Sequence, residues 1–313
     1  MTGPPLTGGP TSPGQMPRLT VAVVSWNSAR DIAGLLASLA GGLMGVPSWE
    51  LILADNNSTD ETVSVVKKLA PNATVVRLER NLGYAAGINA AIAASAPTDA
   101  VLILNPDVRL AQGCAAELID ALRQPRVGIT VPRLQDPAGH LQYSLRREPT
   151  VLRALGEALL GGYRAGRVGV LGEVIVDAGS YRRPRAVAWA TGAVMMVSRH
   201  CLQTVGSWDE SYFLYSEETD YALRARDCGF VVRYVPGAVA VHIGGKGDLS
   251  PRLRGILIAN RVRIFARRHG KVSRTAYWAA VMLNESLRAL LGRRQNRAGI
   301  RALLAPSGDR VRL

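Results

Sequence analysis

The chain has 313 residues, 48% of them hydrophobic, which suffices for one large α/β domain with an appendage or for two small domains. Its three cysteines, Cys114, Cys201 and Cys228, form no C-x-x-C pair, which argues against a disulfide framework or a structural zinc site and favours a reducing cytoplasm. The formal net charge is +14, and nearly all of it lies in residues 251–313, where 15 Lys/Arg face 2 Asp/Glu.

Residues 1–17 are rich in Gly, Pro and Thr and lack a charged segment followed by an apolar one. They are predicted to be a disordered leader rather than a signal peptide. No apolar run approaches the roughly 20 residues that cross a bilayer. The best candidate, residues 186–197, is too short and is predicted to belong to the core.

Over residues 19–134, short apolar runs rich in β-branched residues alternate with helical patterns. This alternation predicts a mostly parallel sheet with helices on both faces. The predicted strands are LTVAVVSW, ELILADN, TVVRLE, AVLILNPDV and VGITVPRL, and the predicted helices are NSARDIAGLLASLAGG, STDETVSVVKKLA, GYAAGINAAIAAS and AAELIDALRQP.

Polar residues follow the apolar runs, where ligands bind in such sheets. In Asn105-Pro106-Asp107, a carboxylate at a strand end can hold a divalent cation against a diphosphate, although the same tripeptide is also a good turn. Asp55 can accept a hydrogen bond from a nucleoside, whereas Asn57 is the more typical residue of an Asx turn. The absence of G-x-G-x-x-G after the first strand counts against NAD.

The periodicity weakens over residues 135–185, which predicts a mobile loop region with one short helix at VLRALGEALLGG. Residues 186–199 contain two strand-like runs around Thr191–Gly192, and GFVVRYVPGAVAVH predicts a strand, a turn and a strand. Residues 251–313 predict amphipathic helices with basic flanks. Their pattern is typical of helices lying on a membrane and of helices packed on the body, and the two interpretations are compatible.

The stretch FLYSEETDYALRAR places Glu217, Glu218 and Asp220 at a predicted helix start. Ser216 can cap this helix, acids in its first turn suit the helix dipole, and Asp220 can pair with Arg224. These local effects account for acids at this position, but one of the acids could also take a proton from a substrate.

Together these segments resemble the family 2 glycosyltransferases, which have the GT-A fold, over about residues 19–245. The segments are VVSWNS, ADNNSTDET, NLGYAAGIN, LILNPDV, the block from WATG to LRAR, and VAVHIGG. The resemblance implies donor-binding roles for Trp26, Asn27, Asp55, Asn57, Gly83, Asn89 and Asn105. It implies acceptor-side roles for Trp189, Gly192, Asp209 and Tyr215. It also implies Asp107 and His242 as ligands of a divalent cation, Mn²⁺ or Mg²⁺, with Asn105 replacing the first Asp of the D-x-D motif as in the rhamnosyltransferase-like branch.

The resemblance further implies an inverting transfer in which a carboxylate deprotonates the acceptor hydroxyl. The family uses the Asp of a Glu-Asp pair as this base. Alignment on Tyr215 and Asp220 puts Glu218 at that position, so the chain departs from the pattern by one methylene. Glu218 is the predicted base and Glu217 the runner-up, with Asp220 and Arg224 as a structural pair.

The spacing does not reveal the donor sugar, but Asn-Pro-Asp and the block from WATG to LRAR most resemble transferases that use dTDP-L-rhamnose. The resemblance therefore implies this donor and a glycan acceptor, such as one linked to polyprenyl diphosphate. A UDP-sugar donor or a small-molecule acceptor is the alternative. Residues 18–250 are expected to form the catalytic domain, with a nucleotide-binding half at 18–134 and an acceptor half at 186–250. Residues 251–313 are expected to hold the protein at an anionic membrane surface on the cytoplasmic side.

Three other classes compete with this interpretation. A nucleotidyltransferase would want a basic Gly-rich loop after the first strand, where only Arg30 is found. A nucleic-acid-binding protein would explain the basic tail, but the body lacks a basic stripe and no nucleic acid is expected. A catalytically inactive binding module is compatible with Asn105 and Glu218, which both depart from the strictest family pattern.

Overall fold

The structure is a computed structural model that describes residues 18–244 and 249–305; the predicted leader lies outside the described residues. The strands are β1 (Arg18–Ser25), β2 (Ser48–Asp55), β3 (Thr74–Arg77), β4 (Ala100–Leu104), β5 (Val108–Leu110), β6 (Val127–Gln135), β7 (Leu145–Arg146), β8 (Arg185–Val187), β9 (Trp189–Ala190), β10 (Val194–Ser198) and β11 (Val231–His242). The helices are α1 (Ala29–Gly42), α2 (Thr62–Leu69), α3 (Tyr84–Ala94), α4 (Cys114–Leu122), α5 (Val151–Leu160), α6 (Gly162–Arg167), α7 (Arg199–Val205), α8 (Glu217–Asp227), α9 (Pro251–Arg268), α10 (Lys271–Leu290) and α11 (Asn296–Leu304).

Within the described residues, nine strands form one sheet in the order β3-β2-β1-β4-β10-β6-β11-β5, with β8 paired to β11. Strands β3, β2, β1 and β4 run parallel, β10 is inserted antiparallel between β4 and β6, and β6 runs parallel to β11. The predicted α/β architecture, a mostly parallel sheet flanked by helices, is confirmed.

Both faces of the sheet are buried, which explains why the strands read as continuous apolar runs rather than alternating ones. In β1, Val21 and Val23 pack with α1 residues such as Ile32 on one face. Ala22 and Val24 face the other side, where the core includes α3 and α8. Because successive side chains point to opposite faces, one strand serves two cores.

The predicted turn inside GFVVRYVPGAVAVH is wrong, because β11 continues through it as one strand. The ladder with β6 shifts register between Val235 and Val239, where Pro236 and Gly237 lie. Proline cannot donate a ladder hydrogen bond, so this strand accommodates it in a bulge. The strand thereby reaches His242 at the same edge of the sheet as the ends of β1 and β4.

The helix predicted at VLRALGEALLGG is confirmed as α5, followed by the shorter α6. This region also contains β7, a 3-10 turn (Ala178–Tyr181) and the buried carboxylates Glu157 and Glu173. Both acids contact Arg261 of α9, with N–O distances of 2.6 and 3.1 Å. The mobility of residues 135–185 stays a prediction.

The helical prediction for the basic tail is confirmed, and part of its apolar surface packs on protein. Ile258, Val262 and Phe265 of α9 form one core cluster with Tyr277 of α10 and Ala154 of α5. None of the helices in the described ranges combines the length and apolarity of a bilayer-spanning segment. The division of the chain at residue 250 stays a prediction.

Candidate active site

The polar ends of the central strands meet at one edge of the sheet and surround a cavity of about 550 Å³, called the front cavity below. β1 contributes Trp26 and Asn27, and the turn after β4 contributes Asn105 and Asp107. His242 from the end of β11 completes this side. In all, residues of six sequence segments line this cavity, and they converge where a parallel sheet places its ligands.

The turn after β1 is locked to the turn after β2. Asn27, in the left-handed region with φ 50°, accepts a hydrogen bond from the backbone N–H of Thr59 at 2.9 Å. Asp55 is fully buried, and its carboxylate accepts hydrogen bonds from the hydroxyls of Ser25 and Ser58. Asp55 therefore shapes the turn beneath the cavity, and it is not among the residues that line the cavity.

The turn before α3 requires glycine. Gly83 has φ +94°, and a Cβ at this position would lie 2.1 Å from the carbonyl oxygen of Phe213. The adjacent Tyr84 donates its backbone N–H to the same oxygen at 2.9 Å, and its ring lines the front cavity. Asn56 accepts from the N–H of Leu82 and donates to the carbonyl of Gly83, which fixes this turn against β2.

We expect Gly83→Ala to destabilise the protein by more than about 2 kcal/mol, because a left-handed backbone and a clash with backbone combine at this site. Gly113→Ala is the matched control, since Gly113 has φ +70° but nothing within 4 Å of the position that an added methyl would take. The control is expected to cost about 1–2 kcal/mol. Equal losses in urea unfolding for the two variants would contradict the close approach of Phe213.

Asp107 and His242 lie beside each other in the wall of the front cavity, with His242 Nε2 3.4 Å from Asp107 Oδ2. Burial raises the pKa of Asp107, but the hydrogen bond and charge of His242 and the N–H of Gly244 outweigh it and hold this pKa below its ordinary value. Gln142 accepts a hydrogen bond from His242 Nδ1 at 3.2 Å when Nδ1 carries the proton, which leaves Nε2 to face Asp107.

This pair suits a divalent cation. Mg²⁺ and Mn²⁺ take one or two protein ligands together with phosphate oxygens, and an imidazole oriented by a second hydrogen bond is the usual form of a histidine ligand. Within the described residues there is no group of three or more His, Cys, Asp or Glu suited to holding a metal. A cation held by Asp107 and His242 would therefore need oxygens from the substrate.

The acids of FLYSEETDYALRAR follow a strained turn. Tyr215 and Ser216 have φ 67° and 73°, a conformation uncommon for residues other than glycine. The prediction that the Ser216 side chain caps the helix is wrong, because in this conformation its hydroxyl makes no capping hydrogen bond. Asn260 of α9 supports the turn instead, donating from Nδ2 to the carbonyls of Leu214 and Tyr215 at 3.0 and 3.1 Å.

This turn presents Glu217 and Glu218 to the front cavity. The Oε2 atoms of both acids are buried without a hydrogen-bond partner among the described residues. Burial raises the pKa of Glu217 well above its ordinary value, and the charge of Glu218 raises it further. Burial also raises the pKa of Glu218, against its backbone hydrogen bonds and the positive charge of Arg146.

Because two neighbouring carboxylates resist double ionisation and the pKa of Glu217 is raised the further, Glu217 is the acid of the pair that holds a proton more readily. The predicted ion pair between Asp220 and Arg224 is confirmed at 2.7 Å and leaves Asp220 outside the cavities.

A second cavity of about 330 Å³, called the rear cavity, lies on the other side of Glu218. It is lined by Trp189, whose indole Nε1 is buried without a partner among the described residues, and by Arg146, which lies 5.6 Å over the Trp189 ring. Tyr215 borders both cavities. Gly192 borders the front one, where a Cβ would touch Glu218 at 3.4 Å.

Comparison with known proteins identifies the family of this chain. Residues 20–181 match glycosyl transferase family 2, and residues 169–296 match glycosyl transferase family group 2. An N-acetylglucosaminyl-diphospho-decaprenol L-rhamnosyltransferase of Mycobacterium tuberculosis is 32% identical over 241 residues, covering 72% of this chain and 75% of the relative. The chain belongs to glycosyl transferase family 2.

Two further similarities bear on this glycosyltransferase. The rhamnosyltransferase WbbL of Escherichia coli is 27% identical over 149 residues, covering 47% of this chain and 53% of that protein. The mannosyltransferase PcManGT from Pyrobaculum calidifontis, solved with GDP-Man and Mn²⁺, superimposes with a TM-score of 0.57 at 19% identity, covering 90% of this chain and 76% of that one. The structural similarity establishes the GT-A fold.

Five residues implied by the family resemblance lie outside the front and rear cavities: Asp55 and Gly83, described above, and three more that hold segments together. Asn89 exchanges hydrogen bonds with the backbone of Trp208 at 2.9 and 3.0 Å. Asp209 accepts from Ser211 and pairs with Arg267 of α9. Asn57 donates to the carbonyl of Glu79 at 3.1 Å. In this structure all three position the loops around the cavities.

Sequence reasoning missed four residues of this site: Tyr84, Gln142, Arg146 and Asn260. Tyr84 stands beside Gly83 in a segment that was identified, so the aromatic ring was a readable signal. The other three carried no local signal, because each acts on a residue at least 43 positions away, and only the fold brings them together.

Proposed function

We propose that this glycosyltransferase moves a sugar from a nucleotide-diphospho-sugar to an acceptor hydroxyl with inversion, using Glu218 as the base. The observation that supports this is the position of Glu218. Of the carboxylates in the described residues, it is the one that lines both the front and the rear cavity. A base must reach the acceptor hydroxyl beside the donor's anomeric carbon, and a carboxylate between two cavities is suited to that task.

In the proposed reaction the donor's diphosphate lies against Asp107 and His242 in the front cavity, and the acceptor enters through the rear cavity. Glu218 takes the proton of the acceptor hydroxyl while the oxygen of that hydroxyl forms a bond to the anomeric carbon. The bond from that carbon to the diphosphate breaks on the opposite face, and the nucleoside diphosphate leaves with the electron pair. Glu217 stays neutral and provides no second negative charge near the leaving group.

A divalent cation held by Asp107 and His242 would neutralise charge on the departing diphosphate. The remaining residues act by placement. Trp26 and Asn27 border the donor side, Asn105 lies next to Asp107, and the rigid turn at Tyr215 fixes the base. Positioning and charge neutralisation are the main sources of acceleration in such a site.

For the donor we propose dTDP-L-rhamnose and for the acceptor a polyprenyl-diphosphate-linked glycan. Two of the relatives described above are named rhamnosyltransferases, and the name of one includes a diphospho-decaprenol acceptor. In the rear cavity, the Trp189 ring and Arg146 offer a stacking surface and a cation to such an acceptor. The place of action is then the cytoplasmic face of the membrane, in cell-envelope polysaccharide synthesis.

The pH dependence of transfer tests the link between Arg146 and Glu218. Since the pKa of Glu218 is raised by burial, transfer is expected to fall with decreasing pH at values above the ordinary glutamate range. Arg146→Gln removes a positive charge that lowers this pKa, so the acid limb of kcat/KM should move to higher pH. Arg146→Lys should keep the limb near its wild-type position, and an unmoved limb in the glutamine variant would disprove the link.

A thermal-shift panel of nucleotide-sugars, with and without Mn²⁺, tests the proposed donor class. We expect a nucleotide-sugar to raise Tm more in the presence of Mn²⁺ than in its absence, and dTDP-L-rhamnose to give the largest shift. A larger increase in Tm with a UDP-sugar would show that the donor is a UDP-sugar, and the proposed type of reaction would stand. No shift with any nucleotide-sugar would contradict the proposed function.

A further inference from the structure

The outward face of α5 carries exposed leucines. Leu152, Leu155 and Leu159 recur at helical spacing, and 52%, 37% and 68% of their surfaces are exposed. The inward face of the same helix holds Ala154, Glu157 and Ala158, which are buried. Leu160 and Tyr163, just beyond, are also exposed. These residues of α5 and α6 lie outside the basic tail, and their exposure was not anticipated from the sequence.

The end of α10 lies beside the end of α5. Arg288 donates a hydrogen bond from Nη2 to the carbonyl of Glu157 at 3.1 Å, so the last turns of the two helices are adjacent. Leu290 and Leu291 follow directly and are 84% and 74% exposed. The leucine patch consists of the exposed apolar residues of both segments, namely Leu152, Leu155, Leu159, Leu160, Tyr163, Leu290 and Leu291.

Within residues 151–170 and 286–305, which carry the leucine patch, the exposed charged residues are all arginines. Five arginines on the neighbouring turns are exposed: Arg164, Arg167, Arg293, Arg294 and Arg297. The one acid of residues 151–170 is Glu157, which is buried and paired with Arg261, and residues 286–305 contain no acid. An apolar centre with a cationic rim fits a surface that has negatively charged groups on its outside and hydrocarbon beneath them.

We propose that the leucine patch docks this transferase on an anionic lipid bilayer, with the leucines inserted among acyl chains and the arginines at the headgroups. A second copy of the chain is a poorer occupant, because a symmetric contact would bring the two arginine rims together. α5 also contributes Glu157 to the rear cavity, so docking through this face would bring that cavity near the bilayer. This last point rests on the proposed lipid-linked acceptor, whereas docking itself does not.

Vesicle sedimentation of the full chain tests the proposal without requiring activity. We expect binding to vesicles of phosphatidylglycerol and phosphatidylcholine, weak binding to phosphatidylcholine alone, and loss of binding at high salt. The double substitution Leu159→Gln and Leu290→Gln should lower the partition coefficient at least about tenfold. Arg293→Gln should lower it about fivefold and weaken the salt dependence.

Leu69→Gln is the matched control, since Leu69 is 52% exposed but lies on α2, and it should leave the partition coefficient unchanged. Point substitutions are preferable to removing residues 251–313, because α9 supports the turn before Glu217. Unchanged vesicle binding of the double leucine variant would overturn the proposal. So would a wild-type dimer that becomes monomeric in this variant without any vesicle binding, which would make the patch an interface between copies.

Discussion

Glu218→Gln is expected to lower the rate of sugar transfer about 10³-fold while leaving donor affinity nearly unchanged. Glutamine preserves the size of the side chain but cannot accept the proton of the acceptor hydroxyl. The residues proposed to contact the donor include Trp26, Asn27 and Asp107, which line the front cavity and keep their side chains in this variant. Steady-state transfer measured by mass spectrometry and donor binding measured by calorimetry separate the two effects.

Glu217→Gln is the matched control for this substitution. Glu217 is buried, and its raised pKa favours the neutral form, which an amide imitates. We therefore expect the rate of transfer to fall by less than about tenfold, which is a much smaller decrease than the one expected on removal of a general base. If Glu217→Gln lost more transfer activity than Glu218→Gln, the base would be Glu217. The alignment of the family motif on Tyr215 and Asp220 would then be wrong.

Asp107→Ala is expected to reduce transfer at least about 10²-fold and to raise the Mn²⁺ concentration needed for half-maximal rate. The substitution removes one of the two side chains proposed to hold the cation, Asp107 and His242, which lie 3.4 Å apart. Gln142→Leu should weaken metal affinity about 10- to 100-fold, because His242 then loses the partner that orients its ring. For the wild-type protein, a chelator should likewise lower the rate of transfer, and added Mn²⁺ should restore it.

His140→Ala serves as the control for the metal site. His140 lies two positions from Gln142, but its side chain is exposed and pairs with Asp136 rather than with Asp107. The metal dependence of this variant should match that of the wild type. Full activity of Asp107→Ala in a chelator would contradict the assignment of the cation to this pair.

The sequence predicted those parts of the molecule that depend on local pattern. Apolar runs of β-branched residues identified the strands, and the polar residues after them identified the edge where Asn27, Asn105 and Asp107 converge. The order of the motifs pointed to Glu217 and Glu218. These features could be predicted because a buried parallel strand must be apolar throughout and must end at the ligand-binding edge.

The remaining features depend on contacts between distant segments. Asn260 lay on the apolar face of a predicted amphipathic helix, and its role appears only where α9 meets the carbonyls of Leu214 and Tyr215. α9, whose pattern was compatible both with lying on a membrane and with packing on the body, supports the turn before Glu217. Exposed leucines occur on α5, where none was anticipated. The capping role of Ser216 failed for a similar reason, since its left-handed backbone is imposed by the surrounding structure.

The anomeric configuration of the product, determined by NMR, tests the central claim most directly. If Glu218 deprotonates the acceptor hydroxyl for direct attack, the anomeric carbon undergoes a single displacement, which inverts its configuration. The new glycosidic bond should therefore have the opposite configuration to the sugar–diphosphate bond of the donor. A product that retains the donor's configuration would contradict the assignment of Glu218 as a base in a single displacement.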